Sequence, residues 1–254
     1  MKKRILLVED EGLIALDEAS TLEKHGYAVT AVPSGEEAVE AVRTGSYDLV
    51  LMDIDLGKDR LNGVTAAEMI LKDFDIPIVF LTSHGEKATV DTVKGITRYG
   101  YVLKGSGEFV LVESIQMALQ LFDAHEKAAG RARQLLETST FLRGIFDSIQ
   151  DGISILNPDL TIRTANQVMK NWHEKNLPLE GKKCYQCYHN SDSPCDPCPS
   201  LRCIETGTTE VEIVSGLPGS GVSCLELYSY PMRDPSTGEI TGIIEFVRDI
   251  TDRV

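Results

Sequence analysis

The sequence predicts an α/β domain with a doubly wound, five-stranded parallel sheet, joined by a helix to an α+β domain with an antiparallel sheet. The first domain is predicted from short apolar runs that alternate with helix-like stretches, at 5–8, 27–32, 49–52, 76–81 and 101–103. Such runs are typical of strands buried on both faces. The second domain is predicted from a change after residue 151 to strand candidates that flank a helical segment. A chain of 254 residues can bury two separate cores.

The first domain is expected to span residues 1–122. Gly26 is placed to end its first helix, and Ser34 with Glu37 forms a capping box that opens the second helix. The last helix carries apolar side chains at 3-4-3 spacing, at Val112, Ile115, Leu119 and Phe122. This spacing places one apolar face of the helix against the sheet.

A connecting helix is expected over residues 123–150. Its first part, 123–134, lacks apolar spacing, so we expect this part to be exposed. A seam of mostly apolar side chains then resumes at 3-4-3-4 spacing, at Leu135, Thr138, Leu142, Ile145 and Ile149. Because such a seam favours pairing of two helices, the sequence predicts a homodimer.

The second domain is expected to span residues 151–254 as an antiparallel sheet with helices inserted midway. The strand candidates lie at 152–156, 160–165, 209–214, 223–232 and 242–250. A helix is expected near 167–175, and a cysteine-rich insertion follows it at 184–203.

Composition narrows the possible partners. The formal net charge of −14 is spread along the chain, which argues against a nucleic-acid-binding surface. The apolar run near the N-terminus stops after four residues at Glu9, too short for a signal peptide, and no stretch reaches membrane-spanning length. The sequence therefore predicts a cytoplasmic location and no membrane segment within this chain.

Polar side chains follow the predicted strands of the first domain, at Glu9, Asp10, Asp53, Thr82 and Lys104. Because the carboxyl ends of parallel strands share one edge of the sheet, we expect these side chains to converge. A carboxylate such as Asp53 can accept a phosphoryl group when a divalent cation neutralises the charge. We expect Glu9 and Asp10 to hold Mg²⁺ together with Asp53 and the backbone carbonyl of Asp55. Thr82 and Lys104 would donate to the phosphoryl oxygens.

Four segments of the first domain resemble the receiver domain of two-component response regulators, which has a flavodoxin-like fold: ILLVEDE at 5–11, DLVLMDIDLG at 48–57, IPIVFLTSHG at 76–85 and GYVLKG at 100–105. The resemblance implies that Asp53 is the phosphoacceptor and that a cognate histidine kinase or phosphotransfer protein is the donor. It also implies that Thr82 and Tyr101 form a switch pair. Gly105 stands where this family usually has proline.

Residues 141–254 resemble a PAS domain through FDSIQDGISILNPDLTIRTAN at 146–166 and GIIEFVRDITDRV at 242–254. The resemblance implies a five-stranded antiparallel sheet with helices over one face, used for ligand sensing or dimerisation; the sequence does not identify the ligand. In this family the DIT ending leads into a further module, often a histidine kinase, which we expect beyond Val254. The chain itself has no ATP-binding segment, so we do not predict an enzyme.

The two resemblances together predict a phosphorelay protein, in which phosphorylation of Asp53 alters helix pairing or PAS contacts. One alternative is the N-terminal part of a hybrid sensor histidine kinase. A second is a phosphatase of the haloacid-dehalogenase type, because Asp53 and Asp55 form a DxD motif. That motif follows the first strand in the phosphatases, whereas here it follows the third, and the first strand already carries a separate acidic pair.

All six cysteines lie between Cys184 and Cys224. Two CxxC pairs, Cys184 with Cys187 and Cys195 with Cys198, can offer four thiolates to a tetrahedral zinc ion. Cys203 is a candidate to replace one of the four. A disulfide or thiol redox role and simple packing remain alternatives to zinc.

Overall fold

In the computed structural model the chain forms two compact units, Met1–Arg133 and Gln134–Val254. The described residues are 2–57, 61–83, 99–215 and 222–253. The stretch between the fourth and fifth strands, 84–98, lies outside them, and so does the helix-like segment expected there. No helix within the described ranges is both long enough and apolar enough to cross a bilayer.

The first unit contains a parallel sheet in the order β2-β1-β3-β4-β5. Its strands are β1 (Arg4–Val8), β2 (Ala28–Val32), β3 (Leu49–Asp53), β4 (Ile78–Thr82) and β5 (Tyr101–Leu103). Its helices are α1 (Gly12–Lys24), α2 (Gly35–Thr44), α3 (Gly63–Asp73) and the long α4 (Glu108–Ser148), which continues into the second unit. The predicted doubly wound sheet is confirmed.

Both faces of the central strands β1, β3 and β4 are buried because these strands carry apolar residues at successive positions. The edge strands β2 and β5 were expected to be buried as well, but they are largely exposed because each has a neighbouring strand on one side only. On one face α2 and α3 cover Leu6, Val8, Val50, Met52, Ile78 and Phe80. On the other face α1 and the start of α4 cover Ile5, Leu7, Leu49, Leu51, Val79 and Leu81. Each such side chain contributes roughly 1.5–3 kcal/mol when fully buried. This rigid sheet fixes the edge at which the polar residues of β1, β3, β4 and β5 emerge.

Local sequence signals set the helix ends as predicted. Gly26 follows the end of α1 with a φ of +89°, a conformation that glycine adopts without strain. The Ser34 hydroxyl accepts a hydrogen bond of 3.2 Å from the backbone N–H of Glu37, which caps α2. The Asn62 side chain likewise caps α3 by accepting from the N–H of Thr65 at 2.8 Å.

Helix α4 runs without interruption for 41 residues, through Gly130. Residues 123–145 of this helix are exposed in the single chain. The segment 123–134, in which the apolar spacing is absent, is therefore an exposed part of the helix. The apolar side chains of the predicted seam are also exposed, by 71% at Leu135, 59% at Leu142 and 46% at Ile145. Ile149, expected to be part of the seam, lies just beyond the end of the helix.

The second unit contains the predicted antiparallel sheet, and its strands lie in the order β7-β6-β10-β9-β8. Its strands are β6 (Gly152–Leu156), β7 (Ile162–Ala165), β8 (Glu210–Ser215), β9 (Cys224–Arg233) and β10 (Ile240–Asp249). Three short helices lie between β7 and β8 in the chain: α5 (Gln167–Trp172), α6 (Cys184–His189) and α7 (Pro199–Thr206). A 3₁₀ turn at Glu174–Asn176 completes the region where a single helix near 167–175 was expected. Helix α7 packs against β8, β9 and β10.

Candidate functional site

Three carboxylates meet at the carboxyl edge of the parallel sheet. Asp53 is the last residue of β3, and Glu9 and Asp10 directly follow β1. One carboxylate oxygen from each lies within 4.8 Å of the others. Asp53 and Glu9 are each only 2% exposed, whereas Asp10 faces solvent. Hard oxygen ligands of this kind suit Mg²⁺, so the donor set fits a divalent cation.

The Lys104 ammonium, just after β5, reaches into this acidic cluster. It donates to Asp53 Oδ2 at 2.8 Å and lies 2.6 Å from Glu9 Oε2. The Lys104 backbone N–H donates to the Thr82 carbonyl at 2.8 Å, which holds the end of β5 against β4. Among the described residues, the cluster thus pairs the Lys104 ammonium with the carboxylates of both Asp53 and Glu9.

Burial sets the electrostatics of the cluster. It raises the pKa of Asp53 and of Glu9 above their ordinary values, although the hydrogen bonds from Lys104 oppose the rise. Burial opposes the charged form of Lys104 as well, but the hydrogen bonds to Asp53 and Glu9 raise its pKa. A cation bound among these carboxylates would favour their ionised form.

The other predicted site residues lie around this cluster. Asp55 is exposed, and its backbone N–H donates to Asp53 Oδ1 at 3.2 Å. Thr82 ends β4 and is 1% exposed. Tyr101 begins β5 and is 39% exposed, so it faces away from the core. Gly105 has a φ of +79°, which the ring of proline cannot adopt, so the usual proline would not fit this backbone.

Gly63 was missed by the sequence reasoning although it shapes the site. As the first residue of α3, it packs against the end of β3, where an added Cβ would lie 1.8 Å from the carbonyl oxygen of Asp53. Its backbone N–H donates to the carbonyl of Ile54 at 3.2 Å. A larger residue would therefore displace the strand end that carries Asp53. The usable signal was Asn62, a favoured N-cap residue directly before the helix.

The second unit has a buried polar cluster that the sequence reasoning also missed. Glu245, on the inner face of β10, accepts a hydrogen bond of 2.6 Å from the hydroxyl of Ser200. Ser200 also contacts the Ser229 hydroxyl at 2.9 Å, and Ser154 contacts the Tyr188 hydroxyl at 2.7 Å. The strand register places Ser154 and Ser229 opposite Glu245. Burial raises the pKa of Glu245 to about 7.

The cysteines do not assemble the predicted zinc site. All six cysteines lie within the described residues, and none of them forms a disulfide. Among the described residues, the acidic cluster of the first unit is the only set of three or more potential ligands so close together. The reason is that Cys184, Cys187, Cys198 and the candidate substitute Cys203 are built into the apolar core of the second unit. The hypothesis of zinc bound by Cys184, Cys187, Cys195 and Cys198 is therefore unsupported.

The chain is similar to transcriptional regulatory proteins. It is 29% identical over 161 residues to the transcriptional regulatory protein PdtaR of Mycobacterium tuberculosis, covering 62% of this chain and 78% of PdtaR. It is 32% identical over 120 residues to the transcriptional regulatory protein CseB of Streptomyces coelicolor, covering 46% of this chain and 50% of CseB. The chain thus spans only about half the length of CseB.

A solved structure similar to the chain is the N-terminal domain of a response regulator/sensory box/GGDEF 3-domain protein from Carboxydothermus hydrogenoformans. The identity is 45%, with coverage of 48% of this chain and 98% of that chain, and the TM-score is 0.45.

Two family models match the chain in succession. The response regulator receiver domain matches residues 5–116, and the PAS fold matches residues 146–254. Neither model is a kinase or phosphatase module, so the hybrid-kinase and phosphatase alternatives gain no support. The chain therefore joins a response regulator receiver domain to a PAS domain.

Proposed function

We propose that this chain is a phosphorelay protein whose Asp53 accepts a phosphoryl group in a magnesium-dependent reaction. The donor would be a cognate histidine kinase or a phosphotransfer protein. The observation that carries the proposal is the buried Asp53 carboxylate, held 2.8 Å from the Lys104 ammonium and within 4.8 Å of the carboxylates of Glu9 and Asp10. A nucleophile, a cation site and a charge-stabilising ammonium are the groups that this transfer requires.

Each side chain has a defined task in the proposed transfer. Bound Mg²⁺, held by Glu9, Asp10, Asp53 and the backbone carbonyl of Asp55, would supply charge neutralisation. An Asp53 carboxylate oxygen forms the new bond to phosphorus while the bond between phosphorus and the donor's leaving atom breaks. Lys104, now paired with Asp53 and Glu9, would donate to a phosphoryl oxygen where negative charge accumulates.

Thr82 and Tyr101 are the proposed switch pair of the receiver domain. The Thr82 hydroxyl would donate to the phosphoryl group on Asp53, and the ring of Tyr101, now 39% exposed, would move inward. The switch pair would thus have two stable arrangements, and the charge of the phosphoryl group would favour one of them. It would alter the surface near β5 and the start of α4.

We propose the domain boundaries expected from the sequence: a receiver at 1–122, a signalling helix at 123–150 and a PAS domain at 151–254 with an insertion at 184–203. Phosphorylation would act through the helix on pairing or on PAS contacts. The continuous α4, from Glu108 to Ser148, supports this role. The ligand of the PAS domain stays open.

We expect the chain to form a homodimer through the exposed seam of α4. Leu135→Glu should shift light scattering of the full chain toward the monomer mass, because the charge would enter an apolar helix contact. Thr140→Glu adds the same charge on the opposite side of the exposed helix and should leave the mass unchanged. A wild-type chain that stays monomeric at high concentration would contradict the pairing.

Incubation with acetyl phosphate and Mg²⁺ tests the proposed function itself. We expect a phosphoprotein that accumulates to at most one acyl phosphate per chain and decays slowly, because a receiver stores the phosphoryl group. Omitting Mg²⁺ should prevent labelling. Rapid release of inorganic phosphate without an accumulating phosphoprotein would contradict the receiver role and favour a phosphatase.

A further inference from the structure

One histidine of the second unit is buried against an apolar cavity. His173 directly follows α5 and is 8% exposed. Its imidazole lines a cavity of about 30 Å³, and within the described part of the chain nothing forms a hydrogen bond with its ring nitrogens. Buried polar groups are usually hydrogen-bonded. The imidazole therefore lies where a positive charge would be costly.

Among the described residues, the groups that face His173 across the cavity offer no negative charge to a protonated imidazole. The strands β8, β9 and β10 contribute only apolar side chains to the lining, those of Val214, Leu225, Leu227 and Val247. The titratable groups of the lining are Tyr188 and His189 of α6 and the thiol of Cys195. In acid Tyr188 and Cys195 stay neutral, whereas His189 can only gain a positive charge. A proton on His173 would thus place a charge in an apolar cavity without a counter-ion.

The cost of this charge makes the stability of the second unit depend on pH. Burial lowers the pKa of His173 from 6.5 to about 4, and His189 acts in the same direction. Because the folded chain binds this proton less well than the unfolded chain, the stability that depends on the neutral imidazole is complete above about pH 6.5. It is lost as the pH falls from 6.5 toward 4. Acid therefore favours a conformation in which His173 reaches water.

The contacts of His173 determine what would move. Its backbone N–H donates to the carbonyl of Met169 at 3.1 Å, and its carbonyl accepts from the N–H of Asn176 at 2.9 Å, so the backbone is held on both sides. The imidazole packs on the ring of Tyr188 in α6, with ring centroids 4.6 Å apart. The Tyr188 hydroxyl in turn contacts the hydroxyl of Ser154 on β6 at 2.7 Å. A charge on His173 would therefore disturb a series of contacts that ends on a strand of the sheet.

We propose that His173 is an acid-sensitive switch of the PAS domain, in which protonation of its imidazole opens the contact between α5 and α6. The proton binds to a ring nitrogen that has no partner among the described residues, and the charged ring then turns to water. The ring of Tyr188 loses its neighbour, which weakens the contact of its hydroxyl with Ser154. This input is independent of phosphoryl transfer to Asp53.

The fluorescence of Trp172 tests the proposal in the full chain, because Trp172 is the single tryptophan and lines the same cavity. Its emission maximum and its quenching by acrylamide are measured from about pH 8 to about pH 4.5. In the wild type we expect a red shift and stronger quenching below about pH 6.5, and a roughly 10-fold larger unfolding constant in urea at about pH 5 than at about pH 8. His173→Phe keeps an aromatic ring that cannot be protonated, so it should abolish the red shift and the stronger quenching.

Two further variants complete the test. His173→Gln, also neutral at every pH used, should abolish the response as well and replaces His173→Phe if phenylalanine disturbs the fold. His125→Gln removes an exposed histidine of α4 and should respond as the wild type does. An emission maximum of the wild type that stays constant over the whole range would overturn the proposal. A response of equal size in His173→Phe or His173→Gln would overturn it too.

Discussion

Asp53→Asn is expected to abolish phosphoryl labelling of the chain by acetyl phosphate in the presence of Mg²⁺. The amide lacks a nucleophilic carboxylate oxygen and removes one of the three carboxylates of the acidic cluster. Loss of a nucleophile typically costs on the order of 10³-fold or more, so labelling measured by intact mass should fall to background.

Asp55→Asn is the matched control because it makes the same chemical change two residues away. Asp55 is exposed, and its backbone N–H is the group that contacts Asp53. Its backbone carbonyl, the proposed magnesium ligand, is unchanged in the variant. Labelling should therefore persist, and undiminished labelling of Asp53→Asn would contradict the assignment of the phosphoacceptor.

Lys104→Ala is expected to slow phosphoryl transfer by roughly 10²- to 10³-fold, the usual cost of removing one group that stabilises developing charge. Magnesium binding, measured by titration calorimetry, should fall much less, since the ammonium contacts the carboxylates of Asp53 and Glu9 without being a metal ligand. Labelling rates and calorimetry on the same preparation separate the two effects.

Lys72→Ala serves as the control for Lys104→Ala, because Lys72 is an exposed lysine in the last turn of α3. It should leave both the rate and the magnesium affinity unchanged. A Lys104→Ala variant that loses affinity and rate in equal proportion would show that the ammonium acts through the metal site, contrary to the account.

The sequence predicted the receiver fold because its local signals agree with its packing. Strands β3 and β4 are buried at every position. This burial is expected for strands in which polar and apolar residues do not alternate. Convergence of Glu9 and Asp53 followed from topology alone, since the carboxyl ends of parallel strands share an edge. The contact of the Lys104 ammonium with both carboxylates could be identified only from the structure.

Residues whose roles depend on contacts with distant parts of the chain could not be identified from the sequence. Gly63 is required by the Asp53 carbonyl, ten residues earlier in the chain. Glu245 looks like a surface residue in a strand pattern, and the hydrogen bond from Ser200 lowers the cost of burying it. Gly130 weakens a helix by roughly 1 kcal/mol relative to alanine, too little to interrupt α4.

The cysteines show why spacing alone was ambiguous. CxxC spacing suits a zinc site and a dithiol equally well. The outcome depends on the helices α6 and α7, which place Cys184, Cys187 and Cys203 in an apolar core. Cys198, just before α7, belongs to the same core, and the half-buried Cys195 packs against it.

Phosphoryl transfer to Asp53 is the central claim, and site-resolved mapping of the acyl phosphate tests it most directly. The full chain is incubated with acetyl phosphate, with and without Mg²⁺, and then treated with borohydride, which reduces an aspartyl phosphate to homoserine. Peptide mass spectrometry should find homoserine at position 53 alone, and only when Mg²⁺ was present. Homoserine at position 10 or 55, or an equal yield without Mg²⁺, would contradict the account.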